Sequence, residues 1–139
     1  MSVNEQIDHL NSTVKCKLAP SKIDGVGVFA IRDIKRGDRV YCRPEKQVWC
    51  NIPWGSLSKL FPEVEKIVKQ RWASVVNGSD FLSPNSDTLL ILYMNHSNDP
   101  NYDVMTDTAL ADIKAGEEVT EDYCAMTNAN KVFPNLCPL

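Results

Sequence analysis

No two cysteines in this chain are spaced as C-x-x-C, and the five present (Cys16, Cys42, Cys50, Cys124 and Cys137) leave an odd count. That pattern argues against a structural zinc, and the expectation is a set of reduced thiols in a cytosol-like compartment, cytoplasmic or nuclear rather than secreted. No apolar run approaches the roughly 20 residues that a membrane-spanning helix needs. The opening Met1-Ser2-Val3-Asn4-Glu5 carries no apolar core of a signal peptide. Asn11-Ser12-Thr13 then has no glycosylation meaning. A basic excess is also missing. The net charge is −3, which argues against a nucleic-acid footprint, and no membrane partner is expected. Histidine is scarce, with only His9 and His96. A single histidine without a patterned partner is a poor metal ligand, so no metal is expected. Neither a Ser-His-Asp order nor a phosphate loop occurs, and nothing in the sequence brings His96 to Cys124 as a base to a nucleophile.

What is present suits one domain with a real core: 139 residues, of which 43% are hydrophobic. Short strand-like runs dominate: Val14–Leu18, Val26–Ile31, Arg39–Cys42, Leu89–Tyr93, Val104–Leu110 and Glu118–Thr120. One helix is expected. Pro62 suits a first turn, and Phe61, Val64, Ile67, Val68, Trp72 and Val75 recur at helical spacing up to a stop at Asn77-Gly78. One stretch also resembles another. Ala30–Val40 reads AIRDIKRGDRV and Ala109–Val119 reads ALADIKAGEEV, with six of eleven positions identical. Each copy fits a strand, a glycine turn and a strand. Either one turn solution is used twice, or two related hairpins flank the helical insert.

Three segments carry the functional signal. Asp24–Ala30, DGVGVFA, formally matches a dinucleotide fingerprint. It lacks the apolar strand before and the helix after that the fingerprint needs. It reads instead as a glycine turn entering a strand, or as a backbone-lined cradle. Tyr93–Asn101, YMNHSNDPN, follows an apolar run yet packs amides around His96. A buried Asn95 would need hydrogen-bond partners, supplied by a polar ligand or by another segment of chain. Ala115–Cys124, AGEEVTEDYC, is a turn, a strand and then Tyr123.

Together these segments resemble the SET domain, the family of S-adenosylmethionine-dependent protein lysine methyltransferases. Gly25-Val26-Gly27-Val28-Phe29-Ala30 is similar to its Gly-x-Gly motif. Tyr93 to Asn101 is similar to its aromatic-x-Asn-His-Ser-x-x-Pro-Asn motif, and Gly116 to Tyr123 to its Gly-Glu-Glu-apolar-Thr-x-Asp-Tyr motif. The three occur in the family's order, over roughly Val14 to Tyr123. The resemblance implies a mainly β fold, a β-clip of short strands with a helical insert at about 56–78 and a knot-like C-terminal segment. It divides the chain into a polar N-terminal segment (1–13), the SET domain (14–127) and a tail (128–139). It further implies that Gly25, Val26, Gly27, Asn95, His96 and Tyr123 contact S-adenosyl-L-methionine. Tyr123 takes the catalytic position, and Tyr93 and Glu121 the substrate channel. Phe133 in the tail is a candidate lid over the adenine.

Departures from the family pattern qualify that expectation. Asn98 stands where members usually carry a cysteine, and no Cys-rich zinc module follows Tyr123. Leu92 replaces a common arginine. Glu121 stands where many members have an aromatic that helps set the number of methyls added. The expected partner is a protein presenting a lysine, a histone or another substrate, and a homodimer is one way to complete the groove. The competing reading is a SET-like module that binds a lysine-bearing tail or the cofactor without turnover.

Overall fold

The computed structural model describes residues 2–40, 49–69, 74–76, 80–84, 90, 92–125 and 128–138, with the side chains of 49–51, 74–76 and 80–84 left aside. The fold is mainly β, built on a four-stranded sheet in the order β1-β2-β9-β6. Its strands are β1 (Cys16–Pro20), β2 (Val26–Ala30), β6 (Asn95–His96) and β9 (Glu118–Glu121). β1 and β2 pair antiparallel along their whole length, and β2 pairs antiparallel with β9. β6 lies parallel to β9, Asn95 opposite Thr120 and His96 opposite Glu121. Val28 and Val119 face each other in this ladder and are fully buried, so the sheet's inner face is set by β-branched residues.

The repeated sequence docks on itself. Ile34 and Ile113 exchange both backbone hydrogen bonds, at 2.7 Å each. Gly37 N–H donates to the Ala109 carbonyl, and Gly116 N–H donates to the Ala30 carbonyl, both at 2.8 Å. Asp112 Oδ1 accepts from Arg36 N–H, and Asp33 Oδ1 accepts from Ala115 N–H, both at 2.9 Å. Each of these bonds between the copies has its counterpart at the same offset along the chain, the signature of a local two-fold. Gly37 (φ 86°) and Gly116 (φ 90°) take the left-handed conformation that this turn demands and that other residues resist. The two copies are therefore neither independent hairpins nor one turn solution reused by chance. Each is the other's pairing partner.

Two apolar clusters result. One sits under the main sheet around Val28, Ile34, Val40, Met94, Tyr102, Ile113 and Val119. The other gathers Ile7, Leu10, Val14, Ile52, Leu57, Val64 and Val68. This second core changes the reading of the first residues, expected to be only a polar segment. Val3–Thr13 is a helix, α1, opened by a capping box in which Ser2 and Glu5 satisfy each other's backbone N–H. Ile7 and Leu10 recur on one helical face and are buried. Asn11 is buried too. Its Oδ1 accepts from Phe61 N–H at 2.8 Å, which ties α1 to the insert.

The insert is mixed rather than helical. β3 (Trp49–Pro53) leads into a 3₁₀ helix (Trp54–Lys59) and α2 (Pro62–Ile67). β4 (Ser74–Val76) and β5 (Asp80–Pro84) complete a small sheet in the order β3-β5-β4. The expected helix starts at Pro62 and buries Val64, Ile67 and Val68, but Val75 belongs to β4, where β-branched residues fit a ladder better than a helix. Arg71, Trp72 and the stop at Asn77-Gly78 lie outside the described residues, as do Tyr41 and Cys42 of the expected Arg39–Cys42 strand. Arg39 itself makes an isolated bridge to Thr108.

Two more expected strands resolve differently. Leu90, Leu92 and Tyr93 form 3₁₀ turns, and Leu92 and Tyr93 are exposed, so the segment turns to deliver Met94 to the core and Asn95 to the sheet. Leu89 and Ile91 lie outside the described residues. Val104–Leu110 is not one strand. β7 (Tyr102–Asp103) and β8 (Thr108–Ala109) form a hairpin whose turn places Asp107 at φ 59°. The buried Tyr102 hydroxyl donates to Asp107 Oδ1. The tail carries a short helix, α3 (Ala129–Val132), with Ala129 and Cys137 buried. The cysteine expectation is corrected here: Cys124 and Cys137 are joined in a disulfide, and Cys16 is buried. Their separation in sequence hid a contact that tail folding creates. The cytosolic placement thereby loses its support from the cysteines.

Asp33→Ala and Asp112→Ala should each lower stability by about 0.5–1.5 kcal/mol, the usual net worth of one hydrogen bond. The local two-fold predicts similar losses for the two variants in urea unfolding. A loss confined to one of them would contradict the reciprocity.

Candidate active site

An open cleft of about 230 Å³ lies at the end of the main sheet, lined by Asp24, Gly25, Val26, Tyr93, Met94, Asn95 and Tyr123 among others. Three separated segments meet there, and the reason is the parallel pairing of β6 with β9. Ser97 N–H extends it by donating to the Glu121 carbonyl at 3.0 Å. Asn101 closes it: Nδ2 donates to the Glu118 carbonyl at 2.9 Å, while Oδ1 accepts from Thr120 N–H at 2.8 Å. One amide side chain thus substitutes for a strand partner at two points of the ladder. With β9 held, the chain delivers Tyr123 beside His96. His96 Nδ1 accepts from Tyr123 N–H at 3.1 Å, and the two rings lie 5.3 Å apart.

Asn95 is the most constrained side chain of the site. Its Nδ2 is surrounded by four acceptors: Ser21 Oγ and the Asp24 carbonyl at 3.1 Å, the Val26 carbonyl at 3.2 Å, and Glu118 Oε2 at 3.3 Å. An oxygen in that place would face carbonyls and a carboxylate, so the network fixes the amide's orientation. Oδ1 is left as the other pole of the amide, and it accepts no hydrogen bond among the described residues. Another segment of chain therefore supplies half of what a buried amide requires.

The Gly-x-Gly segment divides into two roles. Gly25 (φ 44°) makes the turn at the cleft, and its N-terminal side is closed by Ser21 N–H donating to the Gly25 carbonyl at 2.8 Å. Gly27 is not among the cleft-lining residues. A Cβ there would stand 2.9 Å from the Glu118 carboxyl, so Gly27 is glycine because a tethered side chain lies on it. Of the two glycines, Gly25 lines the cleft.

Tyr123 presents its hydroxyl to the cleft from a short 3₁₀ turn and donates to the Met94 carbonyl at 2.5 Å. Burial pushes this phenol above its ordinary range, and the carboxylates of Glu121 and then Asp24 push the same way. It is therefore a neutral phenol at physiological pH, with its proton committed to Met94 and its oxygen lone pairs left as acceptors. Phe133 lies on the Tyr123 ring, centroids 4.8 Å apart, and the Cys124–Cys137 disulfide straps that part of the tail to the site. Tyr93 is half exposed at the rim.

His96, Asp122 and Cys124 gather their donor atoms within 4.8 Å of one another, which the sequence did not suggest. Each is already engaged. The Cys124 sulfur is bonded to Cys137, His96 Nδ1 accepts from Tyr123 N–H, and Asp122 Oδ1 accepts from Cys124 N–H at 2.9 Å. The same disulfide removes Cys124 as a nucleophile for His96.

A family profile described as the SET domain matches residues 25–124. The chain belongs to the SET-domain family. Its match spans all three motifs and the insert between them. Among solved structures, this SET domain is similar to a Plasmodium falciparum protein assigned as a histone methyltransferase, with 22% identity, 80% of this chain and 94% of that one covered, and a TM-score of 0.39. It is also similar to the polycomb repressive complex 2 of Chaetomium thermophilum, with 24% identity, 89% and 16% coverage, and a TM-score of 0.46. The chain spans nearly the whole of the first and about a sixth of the second. No match is found among curated proteins.

Ser21, Glu118, Asn101 and the Met94 carbonyl were not singled out by sequence reasoning, yet they hold Asn95, β9 and Tyr123. Glu118 and Asn101 lie inside the recognised motifs, which is the only signal that pointed at them. Ser21 and Met94 act through geometry that no motif encodes. A phenolate-absorbance titration should contain a component ionising above the ordinary tyrosine range, and Tyr123→Phe should remove it. A titration unchanged by the substitution would contradict the environment described for Tyr123.

Proposed function

We propose that this SET domain is an S-adenosyl-L-methionine-dependent protein lysine N-methyltransferase. The observation that carries the reading is the meeting of Asn95 and a neutral, fixed Tyr123 hydroxyl on one cleft, next to the Gly25 turn. The residues fit such a cofactor. Asn95 Oδ1 is an acceptor for an ammonium, the Gly25–Val26 backbone can approach a ligand closely, and Phe133 with Tyr123 forms an aromatic surface at the tail. When bound, the cofactor supplies an electrophilic methyl on a sulfonium.

The chain's own residues do the rest. A lysine entering past Tyr93 leaves water, and burial beside positive charge favours its neutral amine. Tyr123, its proton held by Met94, offers oxygen lone pairs that orient the amine and accept weak C–H···O contacts from the polarised methyl. It acts as a positioned dipole rather than as a base, since its phenol is neutral. Most of the acceleration then comes from alignment and preorganised electrostatics.

Calorimetry with S-adenosylhomocysteine should register binding, and Asn95→Ala should weaken it severely. A folded wild-type protein without binding would overturn the reading. Tyr123→Phe keeps the ring and its contacts with His96 and Phe133. It should reduce single-turnover methylation about a hundredfold to a thousandfold, as loss of one oriented transition-state contact does, while changing cofactor affinity far less. A wild-type rate in a folded, cofactor-binding Tyr123→Phe protein would remove Tyr123 from catalysis.

Glu121 supports a second reading. Its carboxylate acts on the Tyr123 phenol, so it is close enough to hold a lysine as ammonium, which favours binding without turnover. Labelled cofactor incubated with mixed cell extracts separates the two: transfer of label supports the enzyme, and cofactor binding without transfer supports the binding module. A protein substrate, histone or other, and a cytoplasmic or nuclear placement belong to the same proposal.

A further inference from the structure

Glu118 sits in the third motif with no task in the chemistry above. Its carboxylate nevertheless touches Asn95 in the cleft's wall and two residues behind that wall. Oε1 accepts from Ser21 Oγ at 2.5 Å, Oε2 faces Asn95 Nδ2 at 3.3 Å, and the group lies over Gly27 where no Cβ would fit. Ser21 is held in turn, because its Oγ also accepts from Ile23 N–H at 2.9 Å. A hydroxyl that accepts from Ile23 and Asn95 has one proton to give, and Glu118 takes it. The carboxylate is therefore anchored by a donor whose direction is already decided.

We infer that Glu118 is the positioning residue that, together with the Asp24 and Val26 carbonyls, holds the Asn95 amide and adds the negative charge behind it that makes this cleft selective for ligands carrying an ammonium group. The inference rests on the cofactor reading above and adds the residue that sets the polarity of its subsite. An acceptor-only group against Asn95 forces Nδ2 inward and Oδ1 outward. Oδ1 in the cleft accepts from an ammonium and repels a carboxylate. The anionic charge behind the amide acts in the same direction. The isosteric substitution Glu118→Gln cannot reproduce this. With the introduced amide nitrogen toward Asn95 it opposes Nδ2, and with that nitrogen toward Ser21 it competes for an oxygen whose proton must then point elsewhere. The first arrangement sets a donor against Nδ2 and the second loosens Ser21; both remove the negative charge behind the amide, while the Asp24 and Val26 carbonyls still accept from Nδ2.

The test compares two ligands on wild type and Glu118→Gln, with thermal melts run alongside. S-adenosylhomocysteine carries the ammonium, while 5′-methylthioadenosine lacks the amino-acid part. Glu118→Gln should weaken S-adenosylhomocysteine by about tenfold or more, the scale of a hydrogen bond to a charged group, and 5′-methylthioadenosine by less than about twofold on the same argument. Ser21→Ala should act in the same direction to a smaller extent, since it loosens the carboxylate without removing it. Equal weakening of both ligands would make Glu118 a general support of the loop and overturn the inference. No weakening of either would overturn it as well. Should Glu118→Gln and Ser21→Ala both fail to fold, wild type still decides. Its affinity for S-adenosylhomocysteine should exceed that for the desamino analogue by about tenfold, and equal affinities would refute ammonium selection. Failure of wild type to bind S-adenosylhomocysteine at all would instead sink the cofactor reading, so the two failures are distinguishable.

Discussion

The site depends on one short parallel pairing, β6 against β9. Two residues of β6 make few ladder bonds, and so small a contact would not hold a pair of strands alone. Asn101 supplies what is missing by bonding the Glu118 carbonyl and Thr120 N–H with one side chain. Through this clamp Asn95 faces the Gly25 turn and His96 meets Tyr123. Half-buried amides are costly unless satisfied, and here Asn95 and Asn101 are satisfied by backbone groups of neighbouring segments, while Asn98 bonds the His96 ring. The dense amides of YMNHSNDPN are the joinery of a crossing rather than a loop that happens to be polar.

A second constraint makes that crossing reachable. The two copies of the D-I-K-x-G sequence lock Ala30–Val40 to Ala109–Val119 through reciprocal bonds. This fixes where β2 ends and where β9 begins, so that β2 and β9 meet in register with Val28 opposite Val119. The insert and α1 build their own core to one side, joined to α2 by Asn11. The candidate site and the core of α1 and the insert thereby rest on different apolar clusters.

Charge at the cleft follows a consistent logic. Asp24 lines a pocket proposed to take a sulfonium, an ammonium and a lysine, and Glu118 faces the Asn95 amide of its wall. Burial first, and then the Glu121 and Asp24 carboxylates, raises the Tyr123 phenol above its ordinary range. An acidic rim favours cationic ligands, while the neutral tyrosine keeps the reacting centre free of an additional negative charge. Glu121 is where these demands compete, because the carboxylate that attracts a lysine also stabilises its protonated form.

The sequence by itself determined the family, the three segments of the site and three strands of the main sheet, β1, β2 and β9. Each rests on local chemistry: β-branched alternation, glycines at turns that require positive φ, and motif residues in a specific order. It also exposed the internal repeat, because identical turns need identical residues. Tertiary structure decided the rest. Whether Val3–Thr13 was a polar arm or a helix depended on a second core for Ile7 and Leu10 to enter. Leu89–Tyr93 looked like a strand by composition, yet Leu90, Leu92 and Tyr93 form 3₁₀ turns ahead of the buried Met94. Cys124 and Cys137 read as unrelated thiols until the tail folded back onto Tyr123. The orientation of Asn95 and the surroundings of Gly27 were equally hidden, since they depend on Ser21, the Asp24 and Val26 carbonyls and Glu118, all distant from Asn95 in sequence. Periodicity reports what a residue's neighbours in sequence require of it, whereas a hydrogen bond across the fold is visible only once the chain has closed.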